Sequence, residues 1–240
     1  MPLRTRAEQM LRNSTPARRM RTDVALERLG ALPGAVRMLD AGCDVGLLSM
    51  AIARRFPTWT IDAVDVNDEM LERGRQWSAE EGLSRIEYRH ADVTTDLPER
   101  AFDVVAALEC LTVIGDLDAA LAGMAGALRP GGRFVAHVPD REWKPVLRGS
   151  ADEWETAVRH GFTPEELAER LDAHGLRVTW TRATMYAPLH AAQELHDRLL
   201  GSSLKVRLAM HPLLIGAAAL ERRGFAFGTS RGLYVEAVRR

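Results

Sequence analysis

The sequence predicts an α/β fold: a seven-stranded, mostly parallel, doubly wound sheet with helices on both faces. Three observations predict it. Strand-like and helix-like segments alternate over most of the 240 residues, a rhythm that places helices between neighbouring parallel strands. The segment Phe102–Leu108 (FDVVAAL) is almost unbroken in its apolar character, as a central strand buried on both faces requires. The chain is also long enough for one large domain, and its 46% hydrophobic content can build a sizeable core.

The elements follow in order. Residues 1–30 read as one or two amphipathic helices ahead of the sheet, a candidate lid. Val36–Ala41 (VRMLDA) is a short aliphatic strand, and a glycine-containing turn then opens the helical run Leu47–Phe56. Thr60–Val66 is the second strand. The helix Asn67–Glu81 begins with two natural N-caps, Asn67 and Asp68. Ile86–Ala91 is the third strand and Phe102–Leu108 the fourth. Ala and Leu recur at helical spacing over Asp116–Leu128, and Arg129-Pro130-Gly131-Gly132 stops that helix with both breaker types.

Arg133–Val138 is the fifth strand. Thr163-Pro164-Glu165-Glu166 is a capping box with proline at the first helical position, and Gly175 ends the helix it opens. Leu176–Tyr186 and Gly232–Val238 are the last two strands. Between them, residues 187–229 exceed an ordinary connection and read as a helical cap. The expected organisation is thus a helical segment at 1–30, a core at 31–186, a cap at 187–229 and a terminal core strand at 230–240.

Composition excludes several classes. With 32 basic and 33 acidic residues the formal charge is −1, without the cationic surplus that phosphate backbones demand. No basic stripe is interleaved with aromatics, so a nucleic-acid acceptor is not expected. Cys43 and Cys110 match neither a disulfide framework nor metal-ligand spacing; they read as buried thiols of a reducing, cytoplasmic compartment. The first 22 residues are basic but contain no apolar run, so no secretory leader is expected. Val206–Leu220, the most apolar stretch, is interrupted by Arg207, His211 and Pro212 and is too short to span a bilayer.

The chemistry gathers at three successive strand ends. The first strand closes with Leu39-Asp40-Ala41-Gly42-Cys43-Asp44-Val45-Gly46, where glycines let backbone approach a ligand closely. The second ends in Asp65, 65 − 46 = 19 positions beyond the last glycine, placed to accept both hydroxyls of a ribose. The third ends near Asp92, suited to an adenine amino group. In that order they specify a nucleoside site.

These residues resemble the class I S-adenosylmethionine-dependent methyltransferases. The resemblance rests on LDAGCDVG (39–46), AVDVNDEML (63–71), the AD pair at 91–92, DLP (96–98), FDVV (102–105) and LRPGG (128–132). It covers about residues 36–186 and the terminal strand. It implies S-adenosyl-L-methionine as cofactor, with Asp40, Gly42 and Gly46 at its methionine end, Asp65 on the ribose, Met70 on the adenine face and Asp92 at the adenine edge. Cys43, Asp44, Val66, Val93 and Glu109 complete the implied cofactor set. One residue departs from the pattern: Asp44 stands where the family usually has a third glycine. A carboxylate there would repel a pyrophosphate, and the full G-x-G-x-x-G pattern is missing. A nicotinamide or flavin oxidoreductase is therefore disfavoured.

The expected reaction is methyl transfer to a small organic molecule, at oxygen before nitrogen or carbon. The alternative is a methyltransferase-like protein that binds the cofactor without transferring methyl, as a cyclase, regulator or scaffold. A base for the acceptor proton is sought at the ends of strands four and five: Glu109, His137 and Asp140, with Trp143 nearby. His160, Tyr186 and His190 are candidates from the cap side. Each has a structural reading too: His137 as a hydrogen-bonded core histidine, His160 as a turn residue, Asp140 as a turn cap. Val113 occupies a position where quinone-type patterns often carry histidine. The apolar cap has three open readings: a helical subcore, a lid over a hydrophobic acceptor, or a homodimer contact.

Overall fold

Seven strands form one sheet in the order β3-β2-β1-β4-β5-β7-β6. They are β1 (Arg37–Ala41), β2 (Thr60–Asp65), β3 (Ile86–His90), β4 (Phe102–Leu108), β5 (Leu128–Pro139), β6 (Leu176–Thr184) and β7 (Gly232–Arg239). The computed structural model describes residues 15–147 and 158–240. The first half of the expected N-terminal helical segment, residues 1–14, lies outside the described residues.

The pairings of β1 with β2 and β4, of β2 with β3 and of β4 with β5 are all parallel. β7 runs the other way. Arg240 N–H donates to Gly175 O at 3.0 Å, and Thr179 Oγ1 donates to Glu236 O at 3.3 Å. The partners' numbers sum to 415 in both bonds, as antiparallel pairing requires. The strand order reverses between β1 and β4, so the carboxyl ends of these two strands flank the crevice where open α/β sheets hold their ligands.

Local chemistry explains the helices: α1 (Pro16–Leu29), α2 (Leu47–Arg55), α3 (Asp68–Glu80), α4 (Leu117–Ala127), α5 (Pro164–Ala173), α6 (Ala187–Leu199) and α7 (Leu204–Arg222). The Asn67 side chain accepts the N–H groups of Glu69 and Met70, and Asp116 accepts that of Ala119. Thr163 and Glu166 form the reciprocal capping box expected of their spacing. In β4, Phe102, Val104, Val105, Ala106 and Ala107 are all buried, which is the central strand its composition predicts.

The start of the fifth strand differs from expectation. Arg129–Gly132 does end α4, but β5 already starts at Leu128. Its register against β4 jumps from Phe102↔Leu128 to Val104↔Arg133. Two steps on β4 thus face five on β5, and Gly131 at φ 76° lets the extra residues bulge out. Pro212 lies inside α7 without ending it; proline removes a single intrahelical donor, and the rest of the ladder is kept.

The chain divides into two compact units, each with its own contacts. The larger holds residues 25–141, 158–182 and 233–240. The smaller, among the described residues, holds 15–24, 142–147 and 183–232. The cap helices α6 and α7 therefore group with the start of α1 and with 142–147. Polar anchors knit this smaller unit: Ala17 N–H donates to Gln193 at 3.0 Å, and Val146 and Leu147 N–H donate to the buried Glu194 at 2.9 and 2.6 Å. Met185 and Tyr186 N–H donate to Glu221 near the end of α7. Among the described residues no helix is long and apolar enough to cross a membrane.

Candidate functional site

The candidate site is built at the carboxyl ends of β1, β2 and β4. After β1 the chain turns through Gly42 (φ 68°), Asp44 (φ 53°) and Gly46 (φ 72°) into α2. Gly42 and Gly46 need to be glycine for two reasons. Both occupy left-handed backbone, which penalises side chains. Both also sit against neighbours: a Cβ on Gly42 would lie 2.5 Å from Cys110 Cβ, and one on Gly46 would lie 2.5 Å from Tyr88 Oη.

Asp65 ties this loop to the next strand end. Its Oδ2 accepts the Asp44 N–H at 2.9 Å, and its Oδ1 accepts the Asn67 N–H at 2.9 Å. A carboxylate offers about four lone-pair positions, so two protein bonds leave room for two ligand hydroxyls. Val66 follows with 60% of its surface exposed, an apolar side chain standing at a strand exit where a flat ring could cover it. Met70 is half-buried one turn into α3.

Asp40 plays a different part. It is buried, and its carboxylate accepts the Ser49 hydroxyl at 2.6 Å. Burial pushes its pKa up to about 6, against the Ser49 bonds, with the charges of Asp65 and Asp44 adding to the rise. Asp92 is exposed and forms its own turn: its Oδ1 accepts Thr94 N–H and hydroxyl, while its N–H donates to Asp96 at 2.8 Å. Cys43 and Val93 are buried beside these ends. Cys43 and Cys110 are free buried thiols, and burial holds both thiols well above their ordinary value.

On the other side of the crevice stands Glu109, directly after β4. Its backbone is also left-handed (φ 66°), and its N–H donates to His137 O at 2.9 Å. Its carboxylate is bonded to His137 Nδ1. The histidine side chain is 1% exposed and the glutamate 25%. The ring of His137 meets Tyr234 edge-on at 5.6 Å, and Tyr234 meets Trp180 at 6.1 Å. His137 is thus a hydrogen-bonded histidine of the core that faces outward only through Glu109.

Asp140 pairs with Phe162 as an isolated parallel bridge at the end of β5. That bridge places exposed His160 two residues from it, beside Gly161, whose φ of 102° accompanies its close approach to Pro139 O. Trp143, Tyr186 and His190 all belong to the smaller unit. There the Trp143 ring meets His190 edge-on at 5.3 Å, and the Arg231 guanidinium lies over Trp143 at 4.5 Å.

The sequence reading missed the residues that hold the site residues in place. Ser49 under Asp40 and Tyr88 under Gly46 have no motif of their own. Arg159 was missed as well; its guanidinium donates to Leu111 O and Ile114 O at 2.6 and 2.7 Å and braces the loop after Glu109. No local signal pairs Glu109 with His137: the register Leu108↔His137 is set by the irregular pairing of β4 with β5.

Comparison with known proteins agrees with this geometry. A family model described as "Methyltransferase domain" matches residues 38–132. The ubiquinone biosynthesis O-methyltransferase of Aeromonas salmonicida (strain A449) is 32% identical over 185 residues, covering 71% of this chain and 74% of that protein. The enzyme of the same name from Bradyrhizobium sp. (strain ORS 278) is 31% identical over 173 residues, 67% of this chain; the match spans 65% of that relative's length. Among solved structures, the [4+2]-cyclase SpnF has a similar fold, with a TM-score of 0.68 at 24% identity, covering 93% of this chain and 81% of that one.

Proposed function

This chain belongs to the class I S-adenosylmethionine-dependent methyltransferases, and on that premise we propose that it methylates a small organic acceptor at an oxygen atom. The observation that carries the reading is the double grip of Asp65 on the N–H groups of Asp44 and Asn67. It fuses the glycine loop and the start of α3 into one preformed edge, with acceptor capacity left over. The residues fit the cofactor: Asp65 for the ribose, exposed Val66 with Met70 for the adenine face, Asp92 for the adenine edge. The loop Gly42–Gly46, including Cys43 and backed by Asp40, takes the methionine moiety. Val93 packs behind the adenine side. Four carboxylates along this edge suit a ligand bearing a sulfonium and an ammonium.

When bound, the cofactor supplies a methyl group that is already electrophilic. What remains for the chain is to align the acceptor, exclude water and take its proton. Glu109 is the proton acceptor in this reading, and buried His137 is a positioning residue that fixes the carboxylate's rotamer from behind. Asp140 and exposed His160, joined through the bridge to Phe162, bind the acceptor's far side. Oxygen is favoured as the atom methylated because the relatives covering most of the core are named as O-methyltransferases.

Titration calorimetry tests the cofactor part. Asp65→Ala is expected to weaken S-adenosylmethionine binding by about 2–3 kcal/mol, the worth of hydrogen bonds to a charged group; unchanged affinity overturns the assignment. A screen of phenols, carboxylates and amines for release of the demethylated cofactor tests the transfer. Val113, 44% exposed where quinone-type patterns carry histidine, supports the second reading, in which the cofactor binds and no methyl is transferred. Tight binding without product release from any acceptor decides for that reading.

A further inference from the structure

We propose that the hairpin of α6 and α7 carries a binding site for a small oxyanion, a phosphate or a carboxylate, formed by His196, Arg207 and His211. Three side-chain nitrogens there are buried and, among the described residues, without a hydrogen-bond partner: His196 Nε2, Arg207 Nε and His211 Nδ1. His196 is 6% exposed. The two imidazole centroids lie 6.5 Å apart, and Arg207 and His211 are four residues apart on α7, hence on one face of it. Buried polar groups in folded proteins are almost always paired, so three orphans in one hairpin point to a ligand that pairs them.

The sign of the charge decides which ligand. Burial is the largest influence on His196 and holds its imidazole below the ordinary value; the charges of His211 and Arg207 follow. Burial does the same to His211. Both imidazoles thus tend toward their neutral, N–H-donating forms, and the fixed positive charge is that of Arg207, which sits near the amino end of α7, where the helix dipole adds positive potential. A metal ion could use two histidines, but an adjacent guanidinium opposes it. No group of three His, Cys, Asp or Glu among the described residues is placed to hold one either. An oxyanion accepts from all three nitrogens at once.

The site stands on the smaller unit alone and does not depend on methyl transfer. The test is a titration of the full-length protein with inorganic phosphate at constant ionic strength, followed by carbon–proton NMR of the histidine rings and assigned with His196→Gln. The expected result is saturable movement of both the His196 and His211 signals with one dissociation constant. Arg207→Gln should raise that constant about tenfold or more, as loss of a charge-assisted bond implies, and Arg207→Lys should restore part of it.

A parallel titration with phenyl phosphate separates the two sources. Tighter binding than inorganic phosphate supports a site for the anionic group of an organic molecule, and equal or weaker binding supports a free-ion site. Absence of saturable shifts with either probe overturns the proposal, as does Zn²⁺ moving both rings where phosphate does not. The measurement on the unmodified protein decides even if a variant fails to fold. Binding of S-adenosylmethionine, measured separately, is expected to be unaffected by phosphate.

Discussion

The ends of β1 and β2 and the ends of β4 and β5 face the same crevice and are built in opposite ways. The first pair is a backbone construction: left-handed turns, N–H groups donated to Asp65, and glycines fitted against Cys110 and Tyr88. The second is a side-chain construction: Glu109 leans on His137, which is braced by the rings of Tyr234 and Trp180. A backbone site recognises a ligand whose shape does not vary. A side-chain site can be re-tuned by substitution while the fold stays unchanged. That division suits the proposed arrangement, in which the invariant cofactor takes the first side and the acceptor the second.

The side-chain half should break most visibly under substitution. Glu109→Gln keeps the volume and a hydrogen-bonding oxygen but cannot take a proton. Turnover is expected to fall by about 10²–10⁴, the usual worth of a general base, while cofactor affinity stays near its starting value. His137→Asn should lower turnover less and displace the acidic limb of the pH–rate profile, because it acts through the Glu109 carboxylate, which must be deprotonated to take the proton. Single-turnover rates across pH check both. If Glu109→Gln keeps full activity, acceptor alignment alone is the mechanism and the acid–base role of this half is wrong.

The backbone half should fail through folding. Gly42→Ala meets both the left-handed φ and the 2.5 Å approach to Cys110 Cβ, so a loss of about 2–4 kcal/mol is expected from strain plus overpacking. Urea unfolding measures it. Pairing it with Cys110→Gly should return the steric part and leave the conformational part. Additive losses in the double variant would show that the contact with Cys110 is not what excludes a side chain.

The contrast between the halves also explains what was legible in the sequence. Every strand and most helix ends could be read, because caps such as Asn67, Asp116 and Thr163 act within three residues of themselves. The glycine turn and the strand-end carboxylates that the proposal assigns to the cofactor were legible for the same reason, as local signals in a fixed order. Glu109 and His137 could be named but not paired, since 28 residues separate them and their bond exists only through strand adjacency. The breadth of the smaller unit was not legible either. Ala17, Val146 and Leu147 join the cap through Gln193 and Glu194, and no periodicity encodes such long-range polar anchors.

Acid sensitivity offers a sharper probe of the backbone half. Asp40 has a folded pKa raised from 3.8 to about 6, so folding favours its protonated form. Its contribution to stability is fully present below the unfolded value and is lost as pH rises through about 6, a swing of about 3 kcal/mol by linkage. Asp40→Asn should abolish that swing, so its stability relative to the parent should climb between about pH 4 and pH 6 and level off above. Cofactor binding should show the opposite trend in the parent, weakening below about pH 6 as the carboxylate near a cationic ligand is neutralised. A flat stability difference between parent and variant across that range would mean that Asp40 is already compensated by Ser49.

The smallest effect, and the one that separates geometry from charge within the backbone half, belongs to Asp44. Its left-handed φ of 53° costs a non-glycine residue about 1 kcal/mol. Asp44→Gly relieves that cost but frees the unfolded chain, so net stability should change by less than about 1 kcal/mol. The N–H that binds Asp65 remains in the variant, so the loop should keep its shape. What disappears is one negative charge on an exposed turn, and that charge is among the causes raising Asp40. Two readouts therefore move together if Asp44 acts through charge. The pH midpoint assigned to Asp40 should fall slightly. The preference for S-adenosylmethionine over its demethylated product should fall too, because only the former carries a sulfonium. An unchanged midpoint with equal change in affinity for both ligands would mean that Asp44 matters only as backbone, and that the carboxylate edge discriminates charge through Asp40 and Asp65 instead.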